Sequence, residues 1–238
     1  MDLEVQEYNF MKNIKHIFFD LDHTLWDFEA NSKKAYEKTF LDYDIQIDLQ
    51  QFLEKYIPIN HHYWKLYREE KITKSNLRYG RLKDAFDQIN YSISDTLIDA
   101  IADEYISNLP KFNQLFDGTI RLLEYLKPKY QMHIITNGFK EIQQEKIEKS
   151  GLAPYFEALI TSESVGVKKP NPKVFHHALD YTKAKTYQSV MIGDNLEADV
   201  YGAKNVGMQA IFFNPENKDV PNDKIMSINK LKDLEKIL

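Results

Sequence analysis

Asp20-Leu21-Asp22-His23-Thr24 closes a short apolar run, Ile14 to Asp20, whose centre Ile17-Phe18-Phe19 suits a strand buried on both faces. Two carboxylates spaced two residues apart at the end of such a strand leave their loop toward one point. An aspartate carboxylate is a competent nucleophile toward phosphorus, and a second acid can protonate a leaving oxygen and later deprotonate water. Thr24 is expected to hold Asp22 by a hydrogen bond. Paired acids also mark ordinary metal sites and solvated turns, so this motif gains meaning only beside others.

Three further groups of residues fall at comparable places. Thr136 ends the run Met132-His133-Ile134-Ile135 and is followed by Asn137-Gly138. A hydroxyl and free backbone N–H groups just before a helix make a natural phosphate grip, although the tripeptide also suits a capped turn. Lys168-Lys169-Pro170-Asn171-Pro172 follows another apolar run, and Lys169, beside the proline, is the ammonium expected to offset charge on Asp20 and a phosphate, with Lys168 solvated. Gly193-Asp194-Asn195-Leu196-Glu197-Ala198-Asp199 follows Val190-Met191-Ile192, which puts Asp194 at a strand end and Asp199 in the first turns of a helix. Oxygen-only ligation of this kind suits magnesium. Asp199 equally suits charge compensation at a helix N-terminus.

Elements that would position these groups are legible along the chain. Met132 to Thr136, Ala158 to Thr161, Val190 to Gly193 and Ala210 to Phe213 join the first run as short apolar strands bounded by Gly, Asn, Asp or Pro. Helical patterns alternate with them around Ile120 to Leu126, Val174 to Leu179 and Leu196 to Ala203. Strand-helix alternation predicts an α/β doubly wound parallel sheet, which binds ligands beyond the carboxyl ends of its strands. Residues 28–116 break the rhythm with helices near Asn31 to Tyr43, Leu49 to Arg68, Ser75 to Ile89 and Ser94 to Leu109. The expected organisation is therefore a core of residues 1–27 and 117–238 with an inserted helical domain, 28–116, able to act as a lid.

Composition restricts the chemistry. The chain of 238 residues has no cysteine, which removes disulfides, thiol nucleophiles and thiolate metal sites. A net charge of −5 argues against a nucleic-acid polymer as partner. No run reaches the length of a membrane span, and Met1-Asp2-Leu3-Glu4 does not read as a leader, so a cytoplasmic protein, monomer or homodimer, without membrane contact is expected.

Taken in order, Asp20-Leu21-Asp22-His23-Thr24, Thr136, Lys169-Pro170 and Gly193-Asp194 through Asp199 strongly resemble the motifs of the haloacid dehalogenase superfamily over nearly the whole chain. The resemblance implies a Rossmann-like core with a helical cap inserted after the first strand. It implies Asp20 as nucleophile, Asp22 as general acid and base, and Thr136 and Lys169 as phosphate holders, beside the phosphate contact expected of Asn137 and Gly138 from their place before a helix. It implies Mg2+ bound by the Asp20 carboxylate, the Asp22 backbone carbonyl and Asp194, with Asp199 near its water shell. True dehalogenases of the superfamily lack the second aspartate and need no metal, so a phosphatase acting on a small phosphate ester is expected. Sugar-phosphate phosphatases and phosphomutases share these core motifs.

Trp26-Asp27-Phe28 and Val165-Gly166-Val167-Lys168-Lys169-Pro170 look like the noncanonical pyrimidine nucleotidase branch. Trp26 and Phe28 are expected to pack a hinge rather than stack on a base. In the helical region His61, His62, Trp64, Tyr67, Arg68, Arg78 and Arg81 are candidates for contacting the leaving group. His133, on a strand, is expected to be structural. A rival of another class is a phosphate-responsive binding protein resembling receiver domains, against which the extra acid Asp22 and the helical insertion both weigh.

Overall fold

A computed structural model describes residues 11, 13–221 and 225–238. Residues 1–10 of the expected core and the tetrapeptide Met1 to Glu4 lie outside the described residues. The chain divides into two compact units, Met1–Phe28 with Asn113–Leu238, and Glu29–Phe112.

The first unit is built on a six-stranded parallel sheet in the order β3-β2-β1-β4-β5-β6. Its strands are β1 His16–Phe19, β2 Gln131–Thr136, β3 Ala158–Thr161, β4 Ser189–Gly193, β5 Gln209–Phe213 and β6 Ser227–Ile228. The first five coincide with the apolar runs, because a parallel strand covered on both faces must be apolar throughout. Every residue of β1 is buried. The sixth was not expected: it is two residues long, begins with an exposed serine, and owes its place to pairing with Phe212 and Phe213 of β5.

Register places the functional ends together. Phe19 pairs with Ile134 on one side and Ile192 on the other, so the ends of β2 and β4 flank the residue that follows β1. One core of the unit gathers Phe18, Ile135, Val174, Phe175, Met191, Val200 and Phe212. Helix Pro172–Thr182 contributes Val174, Phe175, Ala178 and Leu179 to it. The expected helix Leu196 to Ala203 is instead a π-helical segment, Leu196–Tyr201, running into a short α-helix, Gly202–Asn205. Both Asp199 N and Val200 N donate to Asn195 O, so the turn is widened where it passes the sheet edge.

The expected insertion, 28–116, is wider than the helical unit. Phe28 and residues 113–116 belong to the sheet unit because the chain returning from the insertion pairs with the chain leaving β1. Trp26 bridges Leu115, Asp27 N donates to Gln114 O, and Phe116 N donates to Leu25 O.

The helical unit contains α1 Phe28–Asp42, most of which lies within it, α2 Leu49–Arg68, α3 Lys74–Gln88 and α4 Asp95–Asn108. Asp48, Thr73 and Ser94 cap the last three by accepting from Gln51 N, Asn76 N and Leu97 N. Its interior is aromatic: Tyr36 stacks on Tyr105 with ring centroids 4.0 Å apart, and Phe40, Phe52, Tyr56 and Phe86 close around them. Arg81, expected to contact a leaving group, is buried here at 1% exposure, donating to Asn60 Oδ1 and facing the rings of Tyr56 and Tyr105. Arg78 pairs with Asp103, and Tyr67 is buried, whereas His61 and His62 are exposed.

His133 lies opposite Phe18 and its Nε2 is 3.2 Å from His16 Nδ1. Burial, aided by His16, pushes the His133 imidazole down from 6.5 to about 4, and burial also lowers His16. Between these values the unfolded chain binds the proton and the folded chain does not, so this residue withdraws stability as pH falls from 6.5 toward 4. Denaturant unfolding at pH 7 and pH 4.5 is expected to show a loss larger in the parent than in His133→Gln, by up to about 3 kcal/mol. Equal pH dependence in both proteins contradicts the assignment.

Candidate active site

Four connections leaving the carboxyl ends of β1 to β4 meet at one edge of the sheet, as expected for the point where strand order reverses. Asp20 follows β1 and is anchored by its backbone N–H donating to Ile192 O at 2.9 Å. Lys169, in the loop after β3, is 2% exposed. Its Nζ donates to Asp20 Oδ1 at 2.8 Å, Asp199 Oδ1 at 2.6 Å and Ile135 O at 2.7 Å. Three acceptors use the three protons of the ammonium. Burial opposes the charge, yet Asp199 and Asp20 outweigh it and hold Lys169 above its ordinary value.

The lysine backbone is equally constrained. Asn137 Oδ1 accepts from Lys169 N at 2.9 Å, and Asn137 Nδ2 donates to Lys169 O at 3.0 Å. The expected phosphate contact of Asn137 therefore does not come from its side chain, which clamps Lys169. Gly138 differs from expectation in a related way: its N–H donates to Thr136 Oγ1 at 3.1 Å. Thr136 Oγ1 also accepts from Gln143 Nε2 at 2.6 Å. Both acceptor positions of the hydroxyl are thereby filled, and its single proton is left to donate. A Cβ at Gly138 would lie 2.3 Å from Gln143 Nε2, so glycine leaves the space that the Gln143 side chain occupies.

Asp194 follows β4, and its Oδ1 accepts from Thr24 Oγ1 at 3.2 Å. This corrects the expectation that Thr24 holds Asp22: the turn closed by Leu25 N and Trp26 N on Leu21 O swings Thr24 toward β4. Asp199, 1% exposed, takes a second hydrogen bond from Asn195 N at 3.1 Å. Gly193 leaves room for it, since a Cβ there would lie 2.2 Å from Asp199 Oδ2.

One carboxylate oxygen from each of Asp20, Asp194 and Asp199 lies within 4.8 Å of the others. Burial raises Asp20 well above the ordinary carboxylate range against the pull of Lys169, with Asp199 and Asp194 adding to the rise. Burial and then Asp199 push Asp194 up to about 7. Three carboxylates against one ammonium leave surplus negative charge that the buried surroundings do not satisfy. Hard oxygen donors carrying such a surplus fit a magnesium ion.

Asp22 turns away from that cluster. Lys146 Nζ donates to its Oδ1 at 2.6 Å and Gln143 Nε2 to its Oδ2 at 2.9 Å. Any contribution of residue 22 to a cation is thus its backbone carbonyl rather than its carboxylate. Lys146 is 2% exposed, with its Nζ 4.0 Å from the centroid of a Trp26 ring and 5.3 Å from that of Phe28. Burial lowers the Lys146 ammonium, and Asp22 opposes the shift. Trp26 and Phe28 pack as expected, but around a charge. Neither Gln143 nor Lys146 was anticipated. Their one signal is that they share the buried stripe of their helix with Ile142 and Ile147.

The family model described as haloacid dehalogenase-like hydrolase matches residues 14–207. The chain is 32% identical over 228 residues to pyrimidine 5'-nucleotidase YjjG of Escherichia coli, covering 93% of this chain and 96% of that protein. It is 32% identical over 215 residues to a glyceraldehyde 3-phosphate phosphatase of Methanothermobacter thermautotrophicus, covering 89% and 91%. Among solved structures, that of the HAD-hydrolase YfnB of Bacillus subtilis bound to magnesium superposes with a TM-score of 0.85 at 28% identity, covering 94% of this chain and 98% of that one.

A folded-state value of about 7 for Asp194, against 3.8 ordinarily, means that the folded protein holds an extra proton between these values. Its stability without a cation therefore declines as pH rises through that window. Added magnesium offsets the exposed charge most where that proton is already gone. Thermal melts are expected to rise with magnesium by about 5 to 10 °C at saturating concentration and pH 8, and by less at pH 6, where the proton competes. An equal rise at both pH values argues against this cluster as the cation site.

Proposed function

We propose that this chain, which belongs to the haloacid dehalogenase-like hydrolase family, hydrolyses small phosphate monoesters through a phosphoryl group carried transiently on Asp20, with pyrimidine nucleoside 5'-monophosphates as its preferred substrates. The observation that carries the reading is the buried triad of Lys169 with Asp20 and Asp199 at 2.8 and 2.6 Å, beside a second acid, Asp22, held by its own donors.

In the first step a carboxylate oxygen of Asp20 bonds to phosphorus as the bond from phosphorus to the leaving oxygen breaks, and Asp22 gives its proton to that oxygen. The alcohol departs. In the second step water attacks the same phosphorus, the bond to Asp20 breaks, and the proton removed from water returns to Asp22. Asp20 ends as a carboxylate, Asp22 as an acid, and phosphate is released. Thr136, whose hydroxyl has only its proton left to offer, donates to a phosphate oxygen. Lys169 orients Asp20 and lends positive charge to the transferring group.

Asp20, Asp194 and the Asp22 backbone carbonyl would hold magnesium, whose chemistry when bound is to neutralise phosphate oxygens and the surplus acid charge. Asp199, committed to Lys169 and Asn195 N, serves better as the anchor of the lysine than as a ligand.

The groups of the sheet unit described above grip only phosphate and do not select the leaving group. Similarity to the E. coli pyrimidine 5'-nucleotidase supports the nucleotide reading. Similarity of comparable extent to the archaeal glyceraldehyde 3-phosphate phosphatase supports a short sugar phosphate as the second reading. Against a dehalogenase stand the second acid and Asp194.

Asp20→Asn is expected to lower phosphate release by about a thousandfold or more, equivalent to about 4 kcal/mol of transition-state stabilisation. Retention of full magnesium-dependent turnover sinks the nucleophile assignment. Across pyrimidine and purine 5'-monophosphates and glyceraldehyde 3-phosphate, kcat/KM is expected to be highest for a pyrimidine. Preference for the sugar phosphate over every nucleotide transfers the assignment to the second reading.

A further inference from the structure

A lysine on a surface helix ordinarily lays its stem along the protein and keeps its ammonium in water. Lys146 does the opposite. It is 2% exposed, presses its ammonium against the Trp26 ring, and makes a 2.6 Å ion pair with Asp22. Gln143, one helical turn earlier and fully buried, uses both amide protons, one on Asp22 Oδ2 and one on Thr136 Oγ1. Its Oε1 finds no partner among the described residues. Beside an ionised Asp22 this orientation of the amide is the favoured one, because turning it over would set Oε1 against the carboxylate. A buried ion pair and an unsatisfied buried acceptor are poor sources of stability, since apolar residues of similar volume often serve as well or better. Their common feature is that both fix one carboxyl group.

We propose that Gln143 and Lys146 are positioning residues for the proton-transferring acid. Each gives one hydrogen bond to one oxygen of Asp22, which sets the rotation of the carboxyl group and leaves a lone pair on each oxygen free to carry the transferred proton. Through its second proton Gln143 ties the same carboxyl group to Thr136, so the acid and the phosphate-gripping hydroxyl keep a fixed separation. This rests on the phosphatase reading, and specifically on Asp22 as the acid.

The test uses leaving groups that differ in their need for a proton. A nucleoside 5'-monophosphate releases an alkoxide unless it is protonated, whereas p-nitrophenyl phosphate releases a stable phenolate. For Lys146→Met and Gln143→Leu, the ratio of alkyl to aryl kcat is expected to fall by about tenfold or more. Asp22→Asn is expected to show a larger fall in the same direction, and Lys146→Arg, which keeps a donor, to restore most of the ratio.

A merely structural role lowers both rates in proportion and leaves the ratio where it was, which overturns the proposal. Thermal melts identify any variant that fails to fold, in which case the remaining two at these positions carry the comparison. If Asp22→Asn itself leaves the ratio unchanged, the acid assignment falls and takes the positioning proposal with it. If the parent turns over neither substrate, the phosphatase reading is what fails.

Discussion

The Nζ of Lys169 is the point on which the rest of the site depends. A buried ammonium is tolerable only where acceptors satisfy its protons and opposite charge offsets its desolvation. Here the three acceptors come from three separate pieces of chain: Asp20 after β1, the Ile135 carbonyl in β2, and Asp199 after β4. The lysine itself arrives after β3, and Asn137 clamps its backbone at both the N–H and the carbonyl. One cation thus ties strand β2 to the segments that follow β1, β3 and β4. The strand order β3-β2-β1-β4 is what makes this feasible, since it brings those four ends side by side.

A second lysine gives the site its asymmetry. Asp20 and Asp22 are two residues apart, yet they do not share surroundings. Asp20 faces Lys169 and the acids Asp194 and Asp199, whereas Asp22 faces Lys146 and Gln143 on a helix from a different part of the chain. Two like groups can take different chemical roles only if their environments differ. The parallel sheet provides this through a turn after β1 that sends the first side chain toward β4 and the second toward the helix following β2. Trp26, buried beneath Lys146, covers that second charge on its ring face.

Glycines mark the places where these charges approach backbone. At Gly138 and Gly193 a methyl group would collide with Gln143 and Asp199 respectively, so both buried polar side chains occupy space that any other residue would fill. The π-helical turn at Leu196–Tyr201 belongs with them, because it carries Asp199 into hydrogen-bonding range of Lys169 while Val200 remains in the core. The helical unit has a separate logic. Its stacked and edge-on aromatic rings surround a guanidinium, Arg81, that has no carboxylate partner among the described residues and is held by Asn60 and two tyrosine rings.

The amino-acid sequence by itself determined the sheet, its five principal strands and the acids at their ends. Strands buried on both faces must be continuous apolar runs, and the polar residue that ends such a run stands out against it. It also determined Lys169 as the charged partner of Asp20. Only tertiary structure decided Gln143 and Lys146, because Lys-Glu-Ile-Gln-Gln-Glu-Lys-Ile-Glu-Lys reads locally as a solvated, charged helix, and nothing within it says which face meets Trp26. The same holds for Thr24, whose partner was set by the turn rather than by proximity in the chain, and for β6, too short to carry a pattern of its own. Local sequence records which side chains prefer burial. Which buried groups meet depends on contacts between segments far apart along the chain, such as Lys146 with Asp22 and Lys169 with Asp20.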